Sequence, residues 1–158
     1  MKKTVLALSI AGFSLIKQFE GCKLTAYRDS VGVLTIGYGH THNVKEGDKI
    51  TQAQAEQLLA QDVKHFEKGI NQLLDELGVT VTQHQFDALV SLAFNIGLGR
   101  LKKSTLVKKL YLMRQTDQRS VYAVADQFLR WIYAGGKELA GLKRRRNEER
   151  LLFLGVQR

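Results

Sequence analysis

Between Thr51 and Gly78 the chain carries apolar residues at Ala55, Leu58, Leu59, Val63, Phe66, Ile70, Leu73, Leu74 and Leu77. That spacing is the 3.6-residue period of a single helix. Thr51-Gln52-Ala53-Gln54 opens it as a capping box, and Gly78 closes it. At roughly 25 residues, rising ~1.5 Å each, this helix is long for a small domain. Its apolar stripe reads as core, not as a ligand box. A 158-residue chain holds one domain, and a helix this long is expected to link two small lobes within it.

On the C-terminal side the pattern stays helical. Thr82-Gln83-His84-Gln85 repeats the capping box, with Phe86, Leu89, Val90, Ala93 and Phe94 facing inward and Asn95-Ile96-Gly97 as the stop. Ser104 can cap a short helix through Leu110, and Val121 to Tyr133 reads as another, with Val124, Phe128 and Trp131 on one side. Gly135-Gly136 breaks the chain before Leu142 to Leu154, where Lys143, Arg144, Arg145, Arg146 and Arg150 stand beside apolar residues.

The N-terminal side is different in character. Ser9 is a candidate N-cap for a helix whose face is Ile10, Phe13, Leu15, Ile16 and Phe19, ended by Gly21. From Lys23 to Tyr38 the pattern turns to β: Val33, Thr35 and Gly37 alternate with the apolar Leu34, Ile36 and Tyr38. Thr35 is therefore expected on the face away from the apolar set. Asp29-Ser30-Val31-Gly32 is turn chemistry.

This stretch also holds the candidate chemistry. Glu20 ends the first helix, Asp29 sits on the turn and Thr35 in the strand. Two carboxyls that can flank a bound substrate are what cleavage of a glycosidic bond usually needs. The bland alternatives are a solvated glutamate and a turn-forming aspartate. His40-Thr41-His42 lacks a third ligand at diagnostic spacing, so structural histidines are expected there. Cys22, the single cysteine, excludes an internal disulfide and reads as a filler rather than a nucleophile.

Charge narrows the partner without naming it. The net charge of +9 and isoelectric point near 9.8 call for an anionic partner: nucleic acid, an envelope polymer or an acidic membrane face. No apolar run reaches transmembrane length. Residues 1–11 imitate a short signal peptide, but cleavage after Ala11 would remove the start of the helix that carries Glu20, so the stretch is read as retained.

Taken together, these residues resemble the phage-type lysozymes, or endolysins, of glycoside hydrolase family 24. The resemblance runs from about Ser9 to Leu154. Its anchors are the segment Leu15 to Gly21, Ala26-Tyr27-Arg28-Asp29, and Thr35 to Thr41. Further anchors are Gln85 to Ser91, Phe94-Asn95-Ile96-Gly97, Ser104-Thr105-Leu106, Ala134-Gly135-Gly136, and Gly141-Leu142 with Arg144-Arg145-Arg146 and Glu148. The spacing of Glu20, Asp29 and Thr35 is its specific part.

The resemblance implies an α+β, mainly α, lysozyme-like fold. Residues 9–50 would form a small β-containing lobe, 51–78 the connecting helix and 79–158 a helical lobe, in one domain. It implies hydrolysis of the β-1,4 bond between N-acetylmuramic acid and N-acetylglucosamine in peptidoglycan. Glu20 would be the general acid, Asp29 the second carboxylate and Thr35 the residue that positions water, with inversion at the anomeric carbon. Inverting carboxyl pairs stand ~6.5–9.5 Å apart.

Gly39, His40, Phe94 and Asn95 are expected to line the substrate site. His40 would be structural, paired with Asp62, and Arg145 would support the Glu20 region through an ion pair, with Arg146 as the alternative. No metal or organic cofactor is required. Peptidoglycan is the expected partner, without nucleic acid or an obligate membrane partner, and the chain is expected to act as a monomer. An endolysin of this kind waits in the host cytoplasm until a separate pore releases it to the periplasm and wall; export by the N-terminal stretch is the lesser reading. Proline is absent, where average usage would give roughly eight. Ala140 and Ser30 stand where relatives often carry it, and an artificial family member is one reading of that gap.

Two other readings compete. A lytic transglycosylase would need Glu20 but not Asp29. A membrane-active basic protein would work through Leu142 to Leu154 and survive loss of Glu20.

Overall fold

The computed structural model describes residues 5–156. The basic start of the leader-like stretch, residues 1–4, lies outside them. Seven helices and two two-stranded sheets are present among the described residues: α1 (Ile10–Glu20), β1 (Lys23–Arg28), β2 (Leu34–Gly37), α2 (Gln52–Leu77), α3 (Gln83–Ile96), α4 (Leu98–Lys102), α5 (Thr105–Leu112), α6 (Gln118–Gln127), β3 (Tyr133–Ala134), β4 (Lys137–Glu138) and α7 (Ala140–Phe153). The fold is mainly α with a small β part. No helix among the described residues is long and apolar enough to cross a membrane.

The chain divides into two compact units, one of Ile16–His65 and the other of the residues before and after it, and the divisions fall within α1 and α2. In the 16–65 unit, β1 and β2 form an antiparallel hairpin with Tyr27 opposite Thr35 and Arg28 opposite Leu34. Ile36 and His40 exchange both backbone hydrogen bonds, at 2.8 and 2.9 Å, which folds the chain back on itself straight after β2. The expected capping box is formed at the start of α2: Thr51 Oγ1 accepts from the Gln54 amide, and Gln54 Oε1 accepts from that of Thr51. Ile16, Ile36, Tyr38, Ala55, Leu59 and Val63 are buried.

In the other unit α3 is the central element. Residues Gln85 to Ala93 are all buried, so this helix is enclosed on every side, and α7 packs along it. Phe128 packs on Phe153 with ring centroids 5.5 Å apart. The extended stretch before α1 is held by side chains rather than by a strand partner. Asn71 both accepts from the Leu6 amide and donates to its carbonyl, Glu67 accepts from the Leu8 amide, and Gln83 donates to the Ala7 carbonyl. Asp87 accepts from the Ser9 amide and hydroxyl.

Thr35 stands in β2 between Leu34 and Ile36, and Thr35, Ile36, Gly37 and Tyr38 are all buried, so the end of this strand is enclosed on both faces. Two expectations need correction. Ile10 is 87% exposed, because it occupies the first position of α1, where the helix has not yet turned onto the core. The helix expected at 121–133 runs instead from Gln118 to Gln127, capped by Asp117, and passes through a 3-10 turn (Phe128–Arg130) into the β3–β4 hairpin.

Candidate active site

Glu20 ends α1 because Gly21 follows with φ at 69°, a left-handed conformation that glycine adopts without steric cost. Its half-buried carboxylate meets the backbone of Gly39: a Cβ built at residue 39 would lie 2.9 Å from Glu20 Oε1. Gly39 itself has φ at 78°. Only glycine gives the backbone this conformation while leaving the carboxylate in place.

Asp29 makes the turn and keeps one oxygen over. Its Oδ1 accepts from the amides of Val31 and Val33, at 3.0 and 2.8 Å, and its backbone amide donates to the Val33 carbonyl. Oδ2 carries no hydrogen bond among the described residues. The bland reading of Asp29 as turn-former is therefore correct for half of the carboxylate and leaves the other half available.

Thr35 stands two residues beyond Val33, so it lies on the same side of the hairpin as Asp29, in the diagonal relation where backbone positions are ~7–8 Å apart. Its hydroxyl donates to the Val33 carbonyl at 2.9 Å. With its hydrogen spent, that oxygen can act toward a water only as an acceptor.

His40 is held between Asp62 on α2, 2.8 Å from Nδ1, and the His42 carbonyl, 2.8 Å from Nε2. Both ring nitrogens are occupied by the fold, and the expected pair with Asp62 is present. Among the described residues no group of three His, Cys, Asp or Glu could hold a metal ion.

A polar cluster with no local signature in residue spacing braces this region. Lys17, one turn before Glu20, pairs with Glu56 at 2.5 Å. Glu56 also accepts from the Tyr38 hydroxyl and from Gln52, and Gln52 donates to the Tyr38 oxygen. The Lys17 ammonium lies 5.8 Å from the centre of the Tyr38 ring. The hydrogen bond from Lys17 holds the Glu56 carboxyl below its ordinary range, while burial pushes the Tyr38 hydroxyl up. Tyr38 precedes Gly39 and Lys17 precedes Glu20, so one carboxylate ties together the two segments that meet at the Glu20 side chain. Cys22 is half-buried, and its thiol donates to Gln52 Oε1 at 3.7 Å.

The remaining expected residues belong to the other unit. Phe94 packs on Phe66 with centroids 5.2 Å apart. Exposed Asn95 accepts at Oδ1 from Arg146 Nη2 at 2.9 Å. Arg145 and Arg146 are 4% and 0% exposed, so neither belongs to a solvated face of α7. Both pair with the fully buried Glu149, Arg145 Nε at 3.2 Å and Arg146 Nε at 2.6 Å. The Ser91 hydroxyl donates to the same carboxylate at 2.6 Å, and Arg145 donates to the Ser91 carbonyl. Burial pushes the Glu149 carboxyl up, opposed by Arg146 and Arg145.

Residues 17–149 match the phage lysozyme family. The endolysin of Salmonella phage P22 is 39% identical over 155 residues, spanning 95% of this chain and 99% of that protein. The chain belongs to the phage lysozyme family. An endolysin of Bacillus phage B103 is 46% identical over 150 residues, covering 93% of this chain and 54% of that protein. The chain spans about half the length of the Bacillus phage endolysins that it matches. Among solved structures, the endolysin of Escherichia coli O157:H7 phage FAHEc1 superposes with a TM-score of 0.82 at 36% identity, covering 99% of this chain and 98% of that one.

Proposed function

We propose that this chain is a muramidase that hydrolyses the β-1,4 bond between N-acetylmuramic acid and N-acetylglucosamine in bacterial peptidoglycan. The observation that carries the reading is the Glu20 carboxylate set against the Gly39 backbone, in a chain of the phage lysozyme family whose Asp29 keeps one carboxylate oxygen available. Endolysins of phages P22 and B103 are relatives over nearly all of this chain's length, which supports the same substrate class.

In this mechanism Glu20 protonates the leaving glycosidic oxygen. Asp29 uses Oδ2 to steady the positive charge that develops at the anomeric carbon and to help activate water. Thr35 accepts a hydrogen bond from that water and aims its oxygen. Attack from the face opposite Glu20 inverts the anomeric centre. Gly39 and His40 carry the further substrate-binding roles beside Glu20. The whole chain acts as a single lysozyme domain, as a monomer, and it reaches the wall after release from the host cytoplasm.

Clearing of purified sacculi by this chain and by Glu20→Gln tests the reading, with mass spectrometry of the products. New reducing ends that depend on Glu20 are expected, and proton spectra of fresh products should show the α-anomer first. Anhydro ends would replace hydrolysis by a lyase reaction. Clearing unchanged in Glu20→Gln would overturn the mechanism altogether.

A further inference from the structure

From Asp87 to Asp117 the chain contains no acidic residue, yet it carries Arg100, Lys102, Lys103, Lys108, Lys109 and Arg114. All six are exposed. Among the described residues none of these side chains is hydrogen-bonded or ion-paired within the protein. Elsewhere some basic side chains pair with carboxylates, as in Lys17–Glu56, Arg28–Glu46, Lys143–Glu138 and Arg150–Asp126, and unpaired ones such as Lys45, Lys49, Lys64 and Lys137 have an acidic residue within two positions in the chain. Six unneutralised charges in one run therefore account for most of the net +9.

The local structure explains why the charges face outward. On α5 the buried positions are Leu106, Val107 and Leu110, and the opposite face presents Lys108 and Lys109. On α4 Leu101 is buried, with Arg100 and Lys102 outside and Lys103 at the C-cap. α4 leads directly into α5 through Ser104, whose side chain caps α5 by accepting from the Val107 amide. The two short helices thus carry five of the six cations within ten residues.

We propose that this α4–α5 surface docks the chain onto a phosphodiester polymer of the cell envelope, of the poly(polyol phosphate) type. A linear polyanion with one charge per repeat can engage several cations at once and releases its condensed counterions as it does so. Four of the six groups are lysines, mobile point charges suited to phosphates without fixed stereochemistry. A lipid surface fits less well, because the apolar face of α5 is spent on the core and only Tyr111 and Leu112 stay outside. Single-stranded nucleic acid would call for a row of aromatic platforms, where this surface offers one tyrosine. The docking does not depend on the muramidase reading, since it needs neither Glu20 nor Asp29.

The test is titration of soluble poly(glycerol phosphate) into the full chain by calorimetry at 50 and 200 mM NaCl, beside anionic phospholipid vesicles and DNA. For four contacts at ~0.7 per phosphate, affinity should fall about 50-fold between the two salt concentrations. Joint substitution of Lys102, Lys103, Lys108 and Lys109 by Glu should weaken binding more than tenfold. The corresponding Gln substitutions, gentler on folding, should weaken it in the same direction. A control chain with Lys45, Lys49, Lys64 and Lys137 changed to Glu has the same net charge and should bind within about twofold of the unaltered one. Equal loss in the control would reduce the effect to net charge and overturn the proposal. Tighter binding to vesicles or DNA than to the polymer would overturn it as well, in favour of that partner.

Discussion

The proposed chemistry rests on how single side chains divide their hydrogen bonds. Asp29 uses Oδ1 to close its turn and keeps Oδ2 open, so the two duties can be separated by Asp29→Asn. The amide oxygen can still accept from Val31 and Val33 while the negative charge is gone. Activity on sacculi should fall about 10²–10⁴-fold, with the unfolding free energy in urea changed by about 0.5 kcal/mol or less. A chain that kept near-full activity with this substitution would remove Asp29 from the mechanism. Gly39 poses a steric question instead. In Gly39→Ala the new methyl would stand 2.9 Å from Glu20 Oε1, at a φ of 78°. Left-handed backbone costs an alanine ~1–2 kcal/mol, and the carboxylate has to move away. We expect lower stability of that size in urea titration, with kcat reduced more than KM is raised.

At the scale of helices and strands, capping chemistry was readable and burial of charge was not. Thr51 with Gln54, and Thr82 with Gln85, form the reciprocal boxes that the residue types announce, since a capping box is written in four consecutive residues. Glu20, Asp29 and Thr35 could be proposed from the sequence because their spacing resembles that of the phage lysozymes. The burial of Arg146 and Glu149 could not, because it depends on Ser91 and Asn95, more than fifty residues away, and local composition shows only a basic run. The β3–β4 hairpin, with two residues per strand, is too short to carry any period. Two predictions belong to this scale. Ala140 is the first residue of α7, after Leu139 at φ −111° and ψ 128°, an extended conformation that suits a residue before proline. The first helical position needs no amide hydrogen, so Ala140→Pro should stabilise the chain by ~0.4–1 kcal/mol, read as a higher melting temperature. The Lys17–Glu56 pair should show in the pH dependence. The Glu56 carboxyl is held below its ordinary range in the folded chain, so the unfolded chain binds more protons once the pH drops below about 4.5. The stability it contributes is present above that pH and is lost as the pH falls through the folded value. For a pair this exposed it amounts to ~0.2–1 kcal/mol. Urea midpoints of Glu56→Gln should lie below those of the unaltered chain at pH 6 and converge with them toward pH 3.

For the whole molecule, 24 basic against 15 acidic residues set up a positive field that acts before any contact is made. Peptidoglycan and the polymers attached to it are anionic, so that field should speed encounter with the wall, by ~10-fold or more at low salt. The range of the effect follows the Debye length, ~10 Å at 0.1 M and ~3 Å at 1 M. Initial rates on sacculi at limiting substrate should therefore fall several-fold as NaCl is raised from 0.05 to 0.5 M. Hydrolysis of a short N-acetylmuramic acid–N-acetylglucosamine oligomer with its lactyl carboxyls amidated, and so uncharged, should stay nearly constant over that range, because it has no charge to be steered. The pairing of substrates decides the cause. Loss of rate on both would mean that salt weakens the fold or the Lys17–Glu56 brace, whereas loss on sacculi alone isolates encounter. The Glu replacements on α4–α5 should flatten the salt profile on sacculi while leaving the oligomer rate unchanged, since that surface carries most of the excess charge and none of the residues proposed to touch the scissile bond.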